Sequence, residues 1–241
     1  MRKILLLSVI LAFMMGCEQK KDNPAAIATD KLETNWWKER HEKVLEQLNK
    51  DPKLILIGNS IIHLLDDPTR QPVWEKYLNK YNTVNMGFSG DRTENVIWRL
   101  RNGEIDGINP KVAMLLIGTN NTDGNHYLGV TRPKELAEGI WEICQIIREK
   151  LPETQILLLA ILPYGYTPNH RDNINKATNE ILATFPGKDS KIHYRDIGYI
   201  FLDKEGKVKK ELMPDFLHPG VEGHLLMFEA LDKEVGQLMG N

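Results

Sequence analysis

A serine hydroxyl, a histidine, a carboxylate and amide donors facing them are the parts of an acyl-transfer site, and this sequence offers all of them in four short stretches. They are Gly58-Asn59-Ser60, Gly87-Phe88-Ser89-Gly90-Asp91, Gly118-Thr119-Asn120-Asn121 and Asp215-Phe216-Leu217-His218. The first three follow apolar runs, and the fourth lies near the C-terminus. Ser60 is the candidate nucleophile. Gly58 permits a tight strand-to-helix turn, and a hydroxyl at the helix start lies beside free N–H groups that favour developing negative charge. A lone serine at such a turn is ordinarily a helix cap, and only the company of the other stretches gives it a chemical reading. Gly90 and Asn120 are candidate oxyanion donors, the first through an unshielded backbone N–H and the second through its side-chain amide. The backbone N–H of Ser60 or of Ile61 is the candidate third donor. His218 can take the Ser60 proton and return it to a leaving alkoxide while Asp215 fixes its tautomer. Pro219-Gly220 follows, which places the pair in a loop before the last helix.

Groups so far apart in sequence meet only if several loops reach one edge of the molecule. Five short apolar runs read as strands: 53–57, 83–86, 112–117, 155–161 and 191–195. Amphipathic segments at 36–48, 72–80, 93–101, 134–151, 171–185 and 221–239 read as helices. The runs are continuously apolar rather than alternating, so both faces of each strand are covered. That predicts an α/β fold with a parallel sheet between helical layers. Ligands bind beyond the carboxyl ends of such strands, where the first three stretches fall. A right-handed winding returns the fourth to the same rim.

The 241 residues carry a formal charge of −2 with acids and bases interspersed, so no basic stripe points to nucleic acid. Met1-Arg2-Lys3 is a short basic start, and the apolar run that follows to Met15 is too short to span a bilayer. Gly16-Cys17 resembles the lipobox of bacterial lipoproteins, although Met14 stands where Leu is usual. The expected organisation is a signal peptide over 1–16, a lipid on Cys17, a flexible tether over 17–32 and one domain over 33–241. Glu18 after the cysteine favours an outer-membrane anchor, hence an envelope location on the periplasmic or surface side. Cys144 is then the remaining cysteine, expected as a buried structural thiol.

The chain resembles the SGNH (GDSL-type) hydrolases, in particular the branch with the catalytic subunits of intracellular platelet-activating-factor acetylhydrolase. The resemblance rests on Ile57-Gly58-Asn59-Ser60, on residues 85–93 and 96–104, on Pro110-Lys111-Val112, on Gly118-Thr119-Asn120-Asn121, on Leu162-Pro163 and on Asp215-Phe216-Leu217-His218. It covers roughly residues 35–238. It implies a flavodoxin-like three-layer α/β/α fold with a central five-stranded parallel sheet, Ser60 as nucleophile, Gly90 and Asn120 as oxyanion donors, and Asp215 and His218 completing a triad. It implies no metal and no organic cofactor. The family's first block usually reads Gly-Asp-Ser. Asn59 keeps the shape and acceptor oxygen of that Asp but loses its charge and adds a donor.

The connections are mostly short and leave little room for a lid, so a small acyl group is expected, acetyl by the resemblance. Ile61, Leu162 and Phe216 are the expected acyl walls. Asn121, Asp123, His126, Tyr164, Tyr166 and His170 are expected near the rim. Acetylated carbohydrate is the favoured substrate for an envelope lipoprotein. A phospholipid acetylhydrolase, an O-acyltransferase and a non-catalytic glycan-binding lipoprotein are the alternatives. Trp98 is expected in packing and Trp36-Trp37 as an anchor for the first helix. The sequence leaves the oligomeric state open.

Overall fold

The central strands of the sheet, 54–58, 112–116 and 155–159, are apolar almost throughout because successive residues point to opposite faces and both faces are packed, whereas the edge strands carry Asn85, His193 and Arg195. A computed structural model describes residues 23–127 and 129–240; the signal peptide, Cys17 and the first part of the expected tether lie outside the described residues. In chain order the main elements are α1 (Asn35–Leu48), β1 (Leu54–Gly58), α2 (Ser60–His63), α3 (Gln71–Val73), β2 (Val84–Gly87), α4 (Thr93–Arg101), β3 (Val112–Leu116), α5 (Pro133–Lys150), β4 (Gln155–Leu159), α6 (His170–Leu182), β5 (Ile192–Arg195) and α7 (Val221–Met239). The five strands are parallel and ordered β2-β1-β3-β4-β5. One face of the sheet presents Ile55, Ile57, Val84, Met86, Ala113, Leu115, Ile156 and Leu158 to α1, α4, α5 and α6. The other presents Leu54, Leu56, Val112, Met114, Leu116, Leu157 and Leu159 to α2 and α7. The result is the expected three-layer α/β/α arrangement.

The amphipathic segment over 72–80 is helical but irregular. After α3 it continues as a π-helical turn, Trp74–Leu78, and a 3-10 turn, Asn79–Tyr81, which Asn82 ends in a left-handed conformation at φ 49°. Tyr77, Leu78 and Tyr81 are still buried, so the apolar stripe survives the change of turn geometry. Residues 23–32 correct the tether expectation. Pro24–Ala26 form a 3-10 turn, Ala25 is fully buried, and its carbonyl accepts from Thr93 Oγ1 at 2.7 Å. Asn23 Nδ2 donates to the Glu135 carbonyl at 2.8 Å, and Asn95 Nδ2 donates to the Thr29 carbonyl at 2.9 Å. Hydrogen bonds to α4 and α5 thus lay this polar stretch along the domain.

Beneath the loop that follows β2 runs a chain of buried charges. Asp91 accepts from Arg99 Nε at 2.9 Å and from Trp37 Nε1 at 2.8 Å. Arg99 also pairs with Glu104, whose other oxygen meets His41 Nδ1 at 2.8 Å. The Arg99 guanidinium lies 3.9 Å from the centre of the Phe88 ring, and Asp91, Arg99 and Glu104 are all without solvent exposure. Trp37 and Trp98 pack together over the same region with ring centres 5.5 Å apart, the packing role expected of Trp98.

Removing the cation would strand two buried carboxylates. Arg99→Leu should cost about 3–5 kcal/mol, read as a lower urea midpoint at unchanged slope. A loss below about 1 kcal/mol would mean that the chain of charges does not hold this loop.

Candidate active site

Strand β1 ends at Gly58, where a Cβ would lie 2.5 Å from the Leu116 carbonyl, so only glycine lets the chain turn this close to β3. Asn59 makes the turn and caps α2: its Oδ1 accepts from Ile61 N at 3.0 Å. Ser60 is the first residue of α2, where backbone N–H groups have no intrahelical acceptor. The Ile61 N–H is occupied by Asn59. Of the two backbone alternatives for a third oxyanion donor, Ser60 is the one left.

Ser60 Oγ lies 2.8 Å from His218 Nε2, and His218 Nδ1 lies 2.6 Å from Asp215 Oδ2. Asp215 Oδ1 accepts the backbone N–H of His218 at 2.7 Å and of Leu217 at 3.0 Å. Between them Phe216 adopts a left-handed φ of 59°, donates N–H to the Met213 carbonyl at 2.9 Å and accepts from Gly165 N at 2.9 Å. Burial works to raise the Asp215 carboxyl, but bonds from the His218 ring and backbone, the His218 charge and the Leu217 N–H outweigh it. The carboxyl stays below its ordinary range. An ionised Asp215 fixes the proton on His218 Nδ1 and leaves Nε2 as the acceptor facing Ser60.

Gly90 has a φ of 76°, a conformation that favours glycine. Its carbonyl is held by Lys31 Nζ at 2.8 Å and by the Tyr127 hydroxyl at 2.8 Å. Asn120 Nδ2 donates one hydrogen to the Asp91 carbonyl at 2.9 Å, which leaves its second hydrogen available. Ser60, Gly90, Asn120, Asp215 and His218 all line one open cavity of about 790 Å³. Oxyanion donors beside a nucleophile, a base and an orienting carboxylate can carry out acyl transfer.

Of the expected rim residues, Asp123 and His126 line this cavity. Asp123 meets His126 Nδ1 at 2.8 Å and Arg171 Nη1 at 3.3 Å. Asn121 does not reach the rim: it is fully buried, with Oδ1 accepting from Thr93 N at 3.1 Å to fix the start of α4. Tyr164, Tyr166 and His170 are outside the lining. Tyr164 stacks under the Arg171 guanidinium at 3.8 Å, and Tyr166 packs on Phe216 with ring centres 5.4 Å apart. The expected acyl walls are also corrected. Ile61 and Leu162 are core residues, and Phe216 leans against the same core, so Leu64, Pro214, Leu217 and Pro219 form the apolar lining instead. Apolar residues beside a motif are drawn first into the core beneath it. Arg70, Ser89 and Tyr127 line the cavity without having been singled out. Ser89 sat inside the second stretch beside Gly90 and Tyr127 beside His126 in a loop already marked, whereas Arg70 carried no signal.

Two further histidines brace the site. His63 Nδ1 accepts from Ser89 N at 3.2 Å and faces Ser89 Oγ at 2.9 Å. Burial, helped by the Arg40 charge, lowers His63 to about 4. His224, fully buried on α7, bonds through Nε2 to the Ile61 carbonyl at 3.0 Å and so ties α7 to the helix that begins with Ser60. Burial lowers it to about 4 despite the Ile61 contact.

The five-stranded parallel sheet between two helical layers is the fold of the SGNH hydrolases. Residues 56–226 match the GDSL-like lipase/acylhydrolase family, and the chain belongs to it. The chain is 31% identical over 225 residues to the platelet-activating factor acetylhydrolase IB subunit alpha2 of Rattus norvegicus, covering 92% of this chain and 94% of that protein. A solved acetyl xylan esterase superposes with a TM-score of 0.64 at 18% identity, over 76% of this chain and 98% of that one. A GDSL-like lipase from Bacteroides thetaiotaomicron does so with a TM-score of 0.63 at 18% identity, over 83% of this chain and 97% of that one.

A histidine held at about 4 in the fold and near 6.5 in the unfolded chain makes stability depend on pH. Between those values the unfolded chain binds more protons, so stability is complete above about 6.5 and is lost as pH falls toward 4. His224→Gln keeps an N–H for the Ile61 carbonyl and cannot titrate. Urea unfolding at pH 5 to 6.5 should show a slope flatter by up to about 1.4 kcal/mol per pH unit. An unchanged slope would mean that His224 does not enter the fold neutral.

Proposed function

We propose that the chain is a serine esterase that removes short acyl groups, acetyl above all, from O-acetylated carbohydrates. The observation that carries this reading is the continuous relay from Ser60 Oγ through His218 at 2.8 Å to Asp215 at 2.6 Å, opening on a cavity that Gly90 and Asn120 also line. His218 Nε2 takes the hydroxyl proton as Ser60 Oγ bonds to the ester carbonyl carbon. The carbonyl oxygen becomes an anion that the N–H of Gly90, the N–H of Ser60 and the Asn120 amide can stabilise, each donor being worth about 10²–10³ in turnover. The imidazolium, steadied by Asp215, gives its proton to the departing alkoxide. Water then repeats the sequence on the acyl-enzyme, with His218 again as base, and frees the carboxylic acid and Ser60.

Two similarities support acetyl as the acyl group, since relatives named for acetylhydrolase and acetyl xylan esterase activity share the fold. The open cavity supports a carbohydrate alcohol, with Asp123, His126 and Tyr127 offering polar contacts to hydroxyls. The 31% identity to a platelet-activating factor acetylhydrolase subunit favours an ether phospholipid as the second reading. Lipid attachment at Cys17, outside the described residues, is part of the proposal and would hold the enzyme at the cell envelope.

The purified domain should hydrolyse p-nitrophenyl acetate. Ser60→Ala should abolish this, and Asp215→Asn should lower kcat by about 10⁴ while leaving the circular dichroism spectrum intact. Equal rates for the parent and Ser60→Ala would leave a glycan-binding protein rather than an esterase. Acetate release from acetylated xylan, sialic acid and peptidoglycan should exceed that from an sn-2-acetyl ether phospholipid. Acceptor-dependent product with little free acetate would indicate an acyltransferase.

A further inference from the structure

We infer that Arg70 is a specificity residue and that the alcohol part of the natural ester carries a carboxylate, as in an O-acetylated sugar acid. The inference rests on the esterase reading and extends it to the substrate class. Arg70 ends the 3-10 turn Pro68–Arg70 and lines the same cavity as Ser60 and His218. Its side chain is only 15% exposed, yet its charge is poorly met. Arg40, Arg92, Arg99 and Arg171, similarly enclosed, each have a carboxylate oxygen within 3.3 Å.

Arg70 has Asp67 Oδ1 at 3.5 Å, and that oxygen already accepts from both Thr69 N and Thr69 Oγ1. Of the five guanidinium donors, Nη1 meets Thr69 Oγ1 at 2.7 Å, Nη2 reaches the Pro219 carbonyl only at 3.5 Å, and the buried Nε has no partner among the described residues. An enclosed guanidinium left so incompletely paired is costly without an anion.

The position identifies which half of the ester would supply that anion. Pro219 follows His218, and His218 is the group that returns a proton to the leaving alkoxide. Arg70 therefore flanks the alcohol side of the scissile bond. The acids of the lining are already engaged, Asp215 with His218 and Asp123 with His126 and Arg171, so neither meets Arg70. A guanidinium fork matches a planar carboxylate.

The test compares an O-acetylated methyl glucuronoside with the corresponding uronamide, which has the same shape and no charge. The parent enzyme should prefer the acid in kcat/KM by about tenfold or more, and the preference should shrink with added salt. Arg70→Gln should bring the acid-to-amide ratio close to one, with Arg70→Lys in between. Because each ratio is taken within one variant, partial loss of folded protein cancels. A parent ratio at or below one, or a ratio unmoved by Arg70→Gln, overturns the inference. So does a ratio near one combined with Arg70-dependent turnover of an sn-2-acetyl ether phospholipid, which would make phosphate the anion. Calorimetric binding of the acid and the amide to Ser60→Ala gives a readout that needs no turnover. A tenfold preference there would stand even if the esterase reading failed.

Discussion

The cleft depends on one buried guanidinium. The loop leaving β2 carries Gly90 at φ 76°, in a turn closed by the Asp91 N–H on the Phe88 carbonyl at 3.1 Å. Arg99 holds it from below by pairing with Asp91 at the loop's end and lying on the Phe88 ring near its start. Burying three full charges is costly unless each is met, and the chain His41-Glu104-Arg99-Asp91-Trp37 meets them in sequence. The arrangement is self-policing: an altered loop would leave a carboxylate unpaired in the core. The Asp91 carbonyl in turn accepts from Asn120, so one loop orients both side-chain and backbone oxyanion candidates.

The groups of the candidate relay are assembled by very different means. Asp215 and His218 orient each other locally, because Asp215 bonds both the ring of His218 and its backbone N–H. Those bonds close within four residues, while Gly165 from another loop holds the left-handed Phe216 between them. The bond from His218 to Ser60 spans 158 residues and is available only because the folded sheet brings the two loops together. His224 supplies the missing link. Its bond to the Ile61 carbonyl fastens the helix after the Asp215–His218 loop to the helix that begins with Ser60. Relative placement of His218 and Ser60 therefore rests on core packing rather than on the flexibility of either loop.

This division explains what could be read from the sequence. The five strands were legible within about two residues at each end, the three central ones because a strand covered on both faces is apolar almost throughout. The four stretches were legible as a group because each ends a strand or precedes a helix, where few residue types fit. The cavity walls were not. Ile61 and Leu162 looked available from their positions beside the motifs, but whether a side chain joins the core or the cleft depends on loop paths that carry no periodic signal. Residues 23–32 misled in the opposite direction. Their composition is that of a tether, yet a handful of hydrogen bonds and one buried alanine suffice to dock them.

That docking gives the N-terminal segment a part in the site. Lys31 donates to the Gly90 carbonyl from one side and Tyr127 from another, so the peptide that follows Gly90 is clamped by groups from two separate loops. A carbonyl held in this way cannot rotate toward the cleft, where it would repel the very anion its neighbouring N–H is placed to receive. Asn59 fits the same logic. The position supplies an acceptor oxygen to cap Ile61, and Asn provides it as well as Asp would while adding no negative charge beside the nucleophile. What the residue must do here is shape the turn, and a neutral amide does that at no electrostatic cost to the oxyanion.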